Sequence, residues 1–454
     1  LTYNTRKIQS GAFFGLENTP KMAVTMGIDT IMRANRIILM AWGEEKATVI
    51  KDIVEGEENS ATPATCLQKH PNIEVVVDEG ASQELTRVKT PWLVGTCLWP
   101  ERFIRTAVLW LCRKVDKPIL KLTYQDYIDN RLGQLLEATG QTYDMINIQV
   151  FNDLQHTISG WPGGKPNADD STRPERATPY PKRVLIFSPH PDDDVISMGG
   201  TFIRLIAQGH DVHVAYQTSG NIAVLDDIVL QTLDTARECG FVDRYNEVQE
   251  IINNKKKGEA EPIELRRLKG SIRRAEAKAA CRQMGLTDPS HVHFLNLPFY
   301  ETGGVKKGLL TDKDIQIVVD LLREIKPHQI YAAGDLSDPH GTHRVCIETV
   351  LAAMEVVQDE EWVKECRLWL YRGAWQEWDL DMVDMAVPLS PDEVIQKRHA
   401  IYRHLSQKDI VPFPGEDKRE FWQRAEERNQ NTARLYDKLG MAEYQAIEVF
   451  VRLF

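Results

Sequence analysis

The sequence lacks any long hydrophobic run: no apolar stretch approaches the roughly 20 residues that a membrane-spanning helix needs. It also lacks an excess of positive charge, because 55 Lys and Arg residues stand against 66 Asp and Glu residues, for a formal net charge of −11 over 454 residues. An acidic chain is a poor partner for nucleic acid or an anionic membrane. We therefore expect no nucleic-acid partner and no membrane insertion.

Paired cysteines are missing as well. The seven cysteines are scattered and odd in number, and no two of them form a C-x-x-C motif. This pattern argues against a disulfide framework or a cysteine zinc site and favours a reducing, cytoplasmic location. The sequence shows no signal peptide, and a chain that starts at Leu1 rather than at methionine is expected to be a fragment or a trimmed form.

The chain is too long for one ordinary core, so two or three domains are expected. The clearest break is the segment 161–181, which is rich in Pro, Gly, Asp and Ser and predicts a linker. Before it, residues 96–160 predict a helical connector, with helices at 102–113 and 124–137. The outer parts are a partial α/β domain at 1–95, with predicted strands at 36–41 and 73–77, and a second α/β domain at 182–454.

An acidic turn containing a histidine follows a short apolar segment in the middle of the chain. Residues 184–187 predict a buried strand of a parallel sheet. A helix is predicted at 201–208, because two prolines in the turn oppose an earlier helix start. Gly199 and Gly200 are expected to allow close packing at the start of this helix. Functional groups of open α/β sheets lie beyond the carboxyl ends of strands. The alternative is a solvated acidic turn that caps the next helix. The polar residues of this turn are His190, Asp192, Asp193 and Asp194.

A second motif follows a predicted strand at 329–333 and precedes a predicted helix at 345–354. Its histidines, His340 and His343, are three residues apart, as are His190 and Asp193 of the first motif, and this spacing suits one face of a helical turn. Two histidines and one carboxylate form a common zinc-binding set with a fourth position for water, and Fe²⁺ also binds such a set. Ordinary loop histidines are the alternative, but two motifs at strand ends with matching spacing favour a metal site.

The region from 182 to about 410 alternates predicted strands and helices. This alternation is typical of the α/β class and predicts a Rossmann-like, mostly parallel sheet with flanking helices. The further predicted elements are strands at 211–217, 292–297 and 446–453, and helices at 264–284 and 418–439.

The two motifs resemble those of the PIG-L/LmbE-like family of zinc-dependent de-N-acetylases, over about residues 182–454. The resemblance implies that a metal ion, Zn²⁺ or alternatively Fe²⁺, is bound by His190, Asp193 and His343. It also implies that Asp192 is the general base and that His340 stabilises the oxyanion. Further matching segments are Arg274-Ala275-Glu276, Phe294-Leu295-Asn296-Leu297-Pro298, Lys397 and His404-Leu405-Ser406-Gln407.

The sequence departs from that family's pattern at two positions. Asp194 stands where the family usually has Glu, and Thr342 stands where an Asp often precedes the last histidine. The second departure leaves the orientation of His340 without its usual partner. Asp335 and Asp338 are the candidates to replace it.

Residues 1 to about 90 resemble the carboxy-terminal half of the glucosamine-6-phosphate deaminase (isomerase) family. The resemblance implies that Lys46 helps to hold a substrate phosphate; the alternative is a solvated helix lysine. That family's catalytic Asp and His cluster lies upstream and has no equivalent after Leu1, so no deaminase activity is expected of this stretch. The matching segments are Ala23 to Ile28, Gly43 to Ala47, Leu67 to Pro71, and Asp78-Glu79.

These resemblances predict an enzyme that hydrolyses the N-acetyl group of an N-acetyl amino sugar, or of a derivative, and releases acetate. The chemistry of the residues agrees, since a bound metal polarises a carbonyl and activates water. The alternative is a protein related to glucosamine-6-phosphate deaminase in which the metal-binding module is not catalytic. The sequence leaves homo-oligomerisation open.

Overall fold

The computed structural model describes residues 1, 5–6, 19–241, 244–255, 260–304, 307–335, 341–373, 376–408 and 419–454. These residues divide into two compact units. The smaller unit comprises Met22–Asp153 and Lys438–Gly440, and the larger comprises Leu1–Lys21, Leu154–Asp437 and Met441–Phe454. No helix in these ranges is both long and apolar enough to cross a lipid bilayer.

The smaller unit contains two parallel strands, β1 (Ile37–Ala41) and β2 (Ile73–Val77). Both are rich in β-branched or long apolar residues, and their bounds agree with the sequence prediction to within one residue. The carboxylate of Asp78, which follows β2, accepts hydrogen bonds from the backbone N–H groups of Gly43 (3.0 Å) and Ala81 (2.8 Å). Asp78 therefore ties the end of β1 to the helix after β2.

Helices provide most of the regular secondary structure in the smaller unit. The helix predicted over 124–137 is interrupted, because Arg131 adopts a left-handed backbone conformation with φ 62°. Trp92 packs against Phe103 and Trp110, each with ring centroids 5.4 Å apart. The helices are α1 (Ile28–Ile31), α2 (Ala47–Glu55), α3 (Glu79–Ser82), α4 (Thr86–Lys89), α5 (Glu101–Val115), α6 (Tyr124–Asp129), α7 (Gly133–Thr139) and α8 (Tyr143–Thr157), the last of which ends in the larger unit.

The larger unit is built on a sheet whose described strands are seven in number, in the order β5-β4-β3-β6-β7-β9-β8. The five strands from β5 to β7 are parallel, and β9 is antiparallel to both β7 and β8. The predicted α/β fold with a mostly parallel sheet is therefore confirmed. The strands are β3 (Arg183–Ser188), β4 (Asp211–Tyr216), β5 (Val292–Phe294), β6 (Gln329–Ala333), β7 (Arg367–Tyr371), β8 (Met385–Leu389) and β9 (Ala446–Arg452).

Helices cover both faces of this sheet. The alternating side chains of β3 show the two layers, since Val184 and Ile186 belong to one buried cluster and Leu185 and Phe187 to the other. The first cluster includes residues of α9, α12, α15 and α16, and the second includes residues of α13 and α14. The helices are α9 (Asp193–Ala207), α10 (Asp226–Glu238), α11 (Tyr245–Asn253), α12 (Ile263–Met284), α13 (Asp312–Ile325), α14 (Thr342–Val357), α15 (Pro391–Ile401) and α16 (Phe421–Lys438).

The strand order places a topological switch point between β3 and β6. From β3 the chain goes to β4 and β5 on one side, and it later returns to β6 on the other side. Loops that leave two such strands diverge at the carboxyl edge and open a crevice there. Both predicted motifs follow these two strands.

The helix after the first motif begins at Asp193, not at the predicted residue 201. The prolines of the turn precede the N-terminus of α9, where their missing N–H groups do not matter. Gly199 and Gly200 lie inside α9 but directly after a kink at Met198, so a second helical segment begins close to the predicted residue 201. There they permit close packing: a Cβ atom on Gly200 would lie 2.5 Å from Leu389 Cδ1.

The segment 161–181, for which composition predicts a linker, forms no helix or strand but lies within the larger unit. The division between the units falls near residue 154 instead. Within the segment, the buried Glu175 carboxylate accepts hydrogen bonds from the side chains of Gln329 in β6 and Trp369 in β7, and lies 3.7 Å from Lys182 Nζ. Pro and Gly here allow an irregular backbone that packs against the sheet.

Candidate metal centre

Two loops at the carboxyl edge of the sheet bring His190, Asp193 and His343 together. His190 Nδ1 lies 3.1 Å from Asp193 Oδ2, and His343 Nε2 lies 3.2 Å from the same oxygen. The two imidazole nitrogens are 3.3 Å apart. His190 follows β3, Asp193 opens α9, and His343 lies in the first turn of α14. The structure thus places three of the sequence-predicted residues around one point.

This donor set fits a divalent metal. Bonds of about 2.0–2.1 Å in a tetrahedral zinc site separate neighbouring ligand atoms by about 3.3 Å, which is the spacing of the three atoms. Burial opposes ionisation of Asp193, but the adjacent rings of His343 and His190 outweigh it and hold the pKa of the carboxyl well below its usual range. Asp193 therefore carries the negative charge that a metal ligand needs.

Asp194 points into the core rather than towards the three donors. Its carboxyl group accepts hydrogen bonds from Ser188 Oγ (3.2 Å) and Tyr216 Oη (3.1 Å). Complete burial raises its pKa to about 7. These contacts hold the turn against β3 and β4, so Asp194, which stands where the resembling family usually has Glu, braces the loop that carries His190.

A second carboxylate lies behind His343. Asp335 Oδ2 is 4.0 Å from His343 Nδ1, on the side of the ring that faces away from Asp193. Gly373 permits this arrangement, because a Cβ atom there would lie 2.8 Å from Asp335 Oδ2. Carboxylates behind metal-binding histidines fix the ring orientation. The sequence made Asp335 a candidate partner of His340, whereas the structure places it beside His343.

Asp192 is paired with an arginine whose importance the sequence reasoning missed. Arg273 Nη2, from α12, lies 3.0 Å from Asp192 Oδ1, and the Arg273 side chain is 2% exposed. Its Nε and Nη1 atoms have no hydrogen-bond partner among the described residues. The signal lay one residue away: Arg274 begins a family-like segment, but its Nη2 donates to Ser271 Oγ at the surface, whereas the preceding Arg273 contacts Asp192.

His404 is a second residue whose position the sequence did not predict. It is buried and lines a cavity of about 30 Å³ together with Asp192. Burial lowers the pKa of His404 to about 4, and neither ring nitrogen has a hydrogen-bond partner within the described ranges. The segment is anchored by Glu276, whose carboxylate accepts hydrogen bonds from Ser406 N (2.6 Å) and Ser406 Oγ (2.7 Å).

The structure does not test the predicted roles of two further residues. His340, the predicted oxyanion-stabilising residue, lies outside the described residues, as does Asp338. Lys46 lies in the smaller unit, in a short 3₁₀ turn (Glu44–Lys46) after β1, with its Nζ 4.0 Å from Glu45 Oε1. Its side chain is 41% exposed, and its role in phosphate binding stays a prediction.

Comparison with known proteins places the chain in a family. Residues 185–354 match the PIG-L family model, described as GlcNAc-PI de-N-acetylase. Over 461 aligned residues the chain is 51% identical to a glucosamine-6-phosphate deaminase-like protein of Bacteroides thetaiotaomicron, and the alignment covers 99% of this chain and 69% of that protein. The chain belongs to this deaminase-like family. It carries a PIG-L domain at 185–354, so the first resemblance is confirmed.

The second resemblance is confirmed by glucosamine-6-phosphate deaminases that match the N-terminal region of the chain. The enzyme of Lactobacillus helveticus is 47% identical over 85 residues, which are 19% of this chain and 36% of the enzyme. The chain thus spans about a third of the length of that deaminase.

Solved structures resemble the chain weakly. N,N'-diacetylchitobiose deacetylase from Pyrococcus horikoshii has a TM-score of 0.39 at 20% identity and covers 60% of this chain and 84% of its own. The conserved protein TT1542 from Thermus thermophilus has a TM-score of 0.38 at 18% identity, and the match covers 60% of this chain and 95% of that protein. At these values, the domain assignment rests on the family model.

The ligand set can be tested by removing one donor. His343→Ala is expected to lose one equivalent of tightly bound divalent metal per chain relative to the parent protein, because two donors remain where a stable site needs at least three. The measurement is elemental analysis of desalted protein. His399→Ala, which removes an exposed histidine of α15, should keep the parent's metal content. Equal metal in His343→Ala and the parent would refute the set.

Proposed function

We propose that this PIG-L protein hydrolyses the N-acetyl group of an amino sugar, or of an amino-sugar derivative, to acetate and the free amine. The proposal rests on the cluster of His190, Asp193 and His343, with the Asp192 carboxylate next to it in the chain and held by Arg273. The description of the matching family model supports the reaction class. The proposed location is the cytoplasm.

His190, Asp193 and His343 would hold the metal, with Zn²⁺ as the proposed ion and Fe²⁺ as the other ion that suits this donor set. When bound, it supplies Lewis acidity towards the acetamide carbonyl and the attacking water. Elemental analysis of the purified protein would identify the bound ion.

The chain's own residues supply the proton transfers. Asp192 accepts a proton from the attacking water, and the ion pair with Arg273 fixes the carboxylate by one oxygen so that the other is available for this step. His340 offsets the negative charge that develops on the former carbonyl oxygen. The nitrogen then takes a proton, from Asp192 or His340, and leaves as the amine. Water and amide are thereby converted to acetate and amine.

The two families that the chain resembles both act on amino sugars. A de-N-acetylase frees the amine of an N-acetylhexosamine, and a glucosamine-6-phosphate deaminase acts on an amino-sugar phosphate. Joining two such domains in one chain raises the local concentration of one domain's product near the other. We therefore infer an N-acetylated amino sugar as substrate, with the 6-phosphate form as the specific candidate. Lys46 stays a separate candidate for phosphate binding within the smaller unit.

Acetate release from three compounds tests this function. N-acetylglucosamine or its 6-phosphate is expected to be hydrolysed faster than an N-acetyl compound that is not a sugar, and a chelator should abolish the release. The measurement is enzymatic assay of acetate on the full chain. Preference for the unrelated compound would contradict the sugar assignment, whereas chelator-resistant release would contradict the metal assignment.

A second candidate is favoured by the 51% identity to a deaminase-like protein. In this reading the chain is a relative of glucosamine-6-phosphate deaminase whose PIG-L domain binds metal without turnover. Ammonia release from glucosamine 6-phosphate, with no acetate release from the three compounds, would favour it. The cluster of His190, Asp193 and His343, with Asp192 next to it in the chain, favours a catalytic site, so we rank this candidate second.

A further inference from the structure

A second cluster of histidines lies near the amino-terminal ends of the strands of the larger sheet, whereas the candidate metal centre lies at their carboxyl ends. Asp211 and His213 are the first and third residues of β4, and His291 and His293 bracket the first residue of the neighbouring strand β5. Because side chains alternate along a strand, each pair shares one face. The pairing of Val214 with Val292 sets His213 beside His291.

The polar atoms of this cluster converge. His213 Nε2 lies 3.4 Å from Asp211 Oδ1, and His291 Nδ1 lies 3.6 Å from the same oxygen. The rings of His213 and His291 stack with centroids 4.2 Å apart. On its other side, His213 Nδ1 lies 3.0 Å from His293 Nε2. Potential ligand atoms of Asp211, His213 and His291 all lie within 4.8 Å of one another.

The cluster is separate from the candidate metal centre. The catalytic candidates follow the carboxyl ends of β3 and β6, whereas Asp211 stands at the start of β4. Strand β4 has six residues, and an extended segment of that length spans about 17 Å from its first to its last residue. One ion therefore cannot serve both clusters.

The charge state of the cluster suits a cation. A neutral imidazole offers one ring nitrogen as a ligand. Carboxylates supply the negative charge: Asp211 lies within the cluster, and Asp288 Oδ2 is 3.9 Å from His291 Nε2.

We propose that Asp211, His213 and His291 form a second binding site for a divalent transition metal, with Zn²⁺ as the fitting ion. Two imidazoles and one carboxylate are a common set for such metals. His293 acts as a positioning residue, since its contact with Nδ1 of His213 directs Nε2 of that ring towards Asp211. The ion would fasten β5, an edge strand of three residues, to β4.

The experiment measures Zn²⁺ binding without using activity. The full-length His343→Ala variant, stripped of metal, is the background, because its first site lacks one donor. Titration with micromolar Zn²⁺ is expected to show one equivalent that survives desalting and raises the melting temperature. Adding His291→Ala should remove both effects. Adding His293→Ala should instead weaken the Zn²⁺ affinity by about 10–100-fold, as expected when an orienting contact is lost.

His399→Ala in the same background serves as the matched control and should retain the equivalent and the upward shift in melting temperature. His291 is partly exposed, so its replacement should leave the fold intact, which circular dichroism of the zinc-free protein verifies. Binding of no Zn²⁺ by His343→Ala would overturn the proposal. So would one equivalent that persists unchanged after His291→Ala and His213→Ala are added together.

Discussion

Asp192→Asn is expected to lower kcat for acetate release by about 10²–10⁴-fold, the usual contribution of a general base. Asparagine keeps the shape of the side chain but cannot take the proton from water. It also remains able to accept a hydrogen bond from Arg273, whose Nη2 lies 3.0 Å from the Asp192 carboxylate. The metal content should therefore be unchanged. Parallel measurement of acetate release and metal content, on a substrate established with the parent, tests both parts.

The control for Asp192→Asn is Asp234→Asn. Asp234 also pairs with an arginine, Arg237 at 2.6 Å, but this pair is on the surface of α10 and about 40% exposed. Its loss should change neither rate nor metal content, since exposed ion pairs contribute little. Near-parental acetate release by Asp192→Asn would remove Asp192 from the mechanism. Loss of metal together with activity would instead indicate that Asp192 holds the ligands in place.

The candidate site was predictable because its residues are close in sequence to strand ends. Four consecutive apolar residues predict strand β3. Parallel strands end at the same edge of a sheet, so the motifs after β3 and β6 lie near each other if those strands are neighbours. The pairing of Val184 with Gln329 meets that condition. The order of strands itself was not predictable, because periodicity reports which face is buried and not which strand is adjacent.

Residues that reach the site from distant elements could not be predicted from the same signals. Arg273 lies on α12, where a charged residue usually indicates a solvated face, and only its contact with Asp192 reveals a buried role. His404 follows α15 by a few residues and lies at the site because Glu276 anchors Ser406. Such positions depend on how helices pack, which local sequence does not encode.

The shape of α9 also depends on residues that are distant in sequence. The helix contains a kink at Met198, with φ −137° and ψ 24°. Gly200 N and Thr201 N donate to the Glu448 carboxylate at 3.0 and 2.7 Å. The carbonyls of Ile196 and Ser197, one turn earlier, accept from Arg428 Nη2 at 3.4 and 3.0 Å. Two charged side chains from the last part of the chain thus stabilise the kink.

Lys397 completes this arrangement from α15. Its Nζ donates to Glu448 Oε1 at 2.7 Å and to Asn429 Oδ1 at 2.9 Å. Both members of the ion pair are almost completely buried, at 2% and 1% exposure. Burial raises the pKa of Glu448, but the Lys397 charge and the donors of Thr201 outweigh it, and the net pKa is lowered. Glu448 is therefore ionised in the core, where its charge depends on these partners.

Lys397→Met is expected to destabilise the larger unit by about 3–5 kcal/mol, because it leaves the Glu448 carboxylate buried without its countercharge. The measurement is chemical denaturation monitored by circular dichroism and checked by calorimetry. The double variant Lys397→Met with Glu448→Gln should recover part of the loss, since neither position then carries a charge. As a control, Lys364→Met breaks a pair with Glu361 that is more than 60% exposed and should cost under about 1 kcal/mol. A similarly small loss for Lys397→Met would mean that the kink of α9 does not depend on this ion pair.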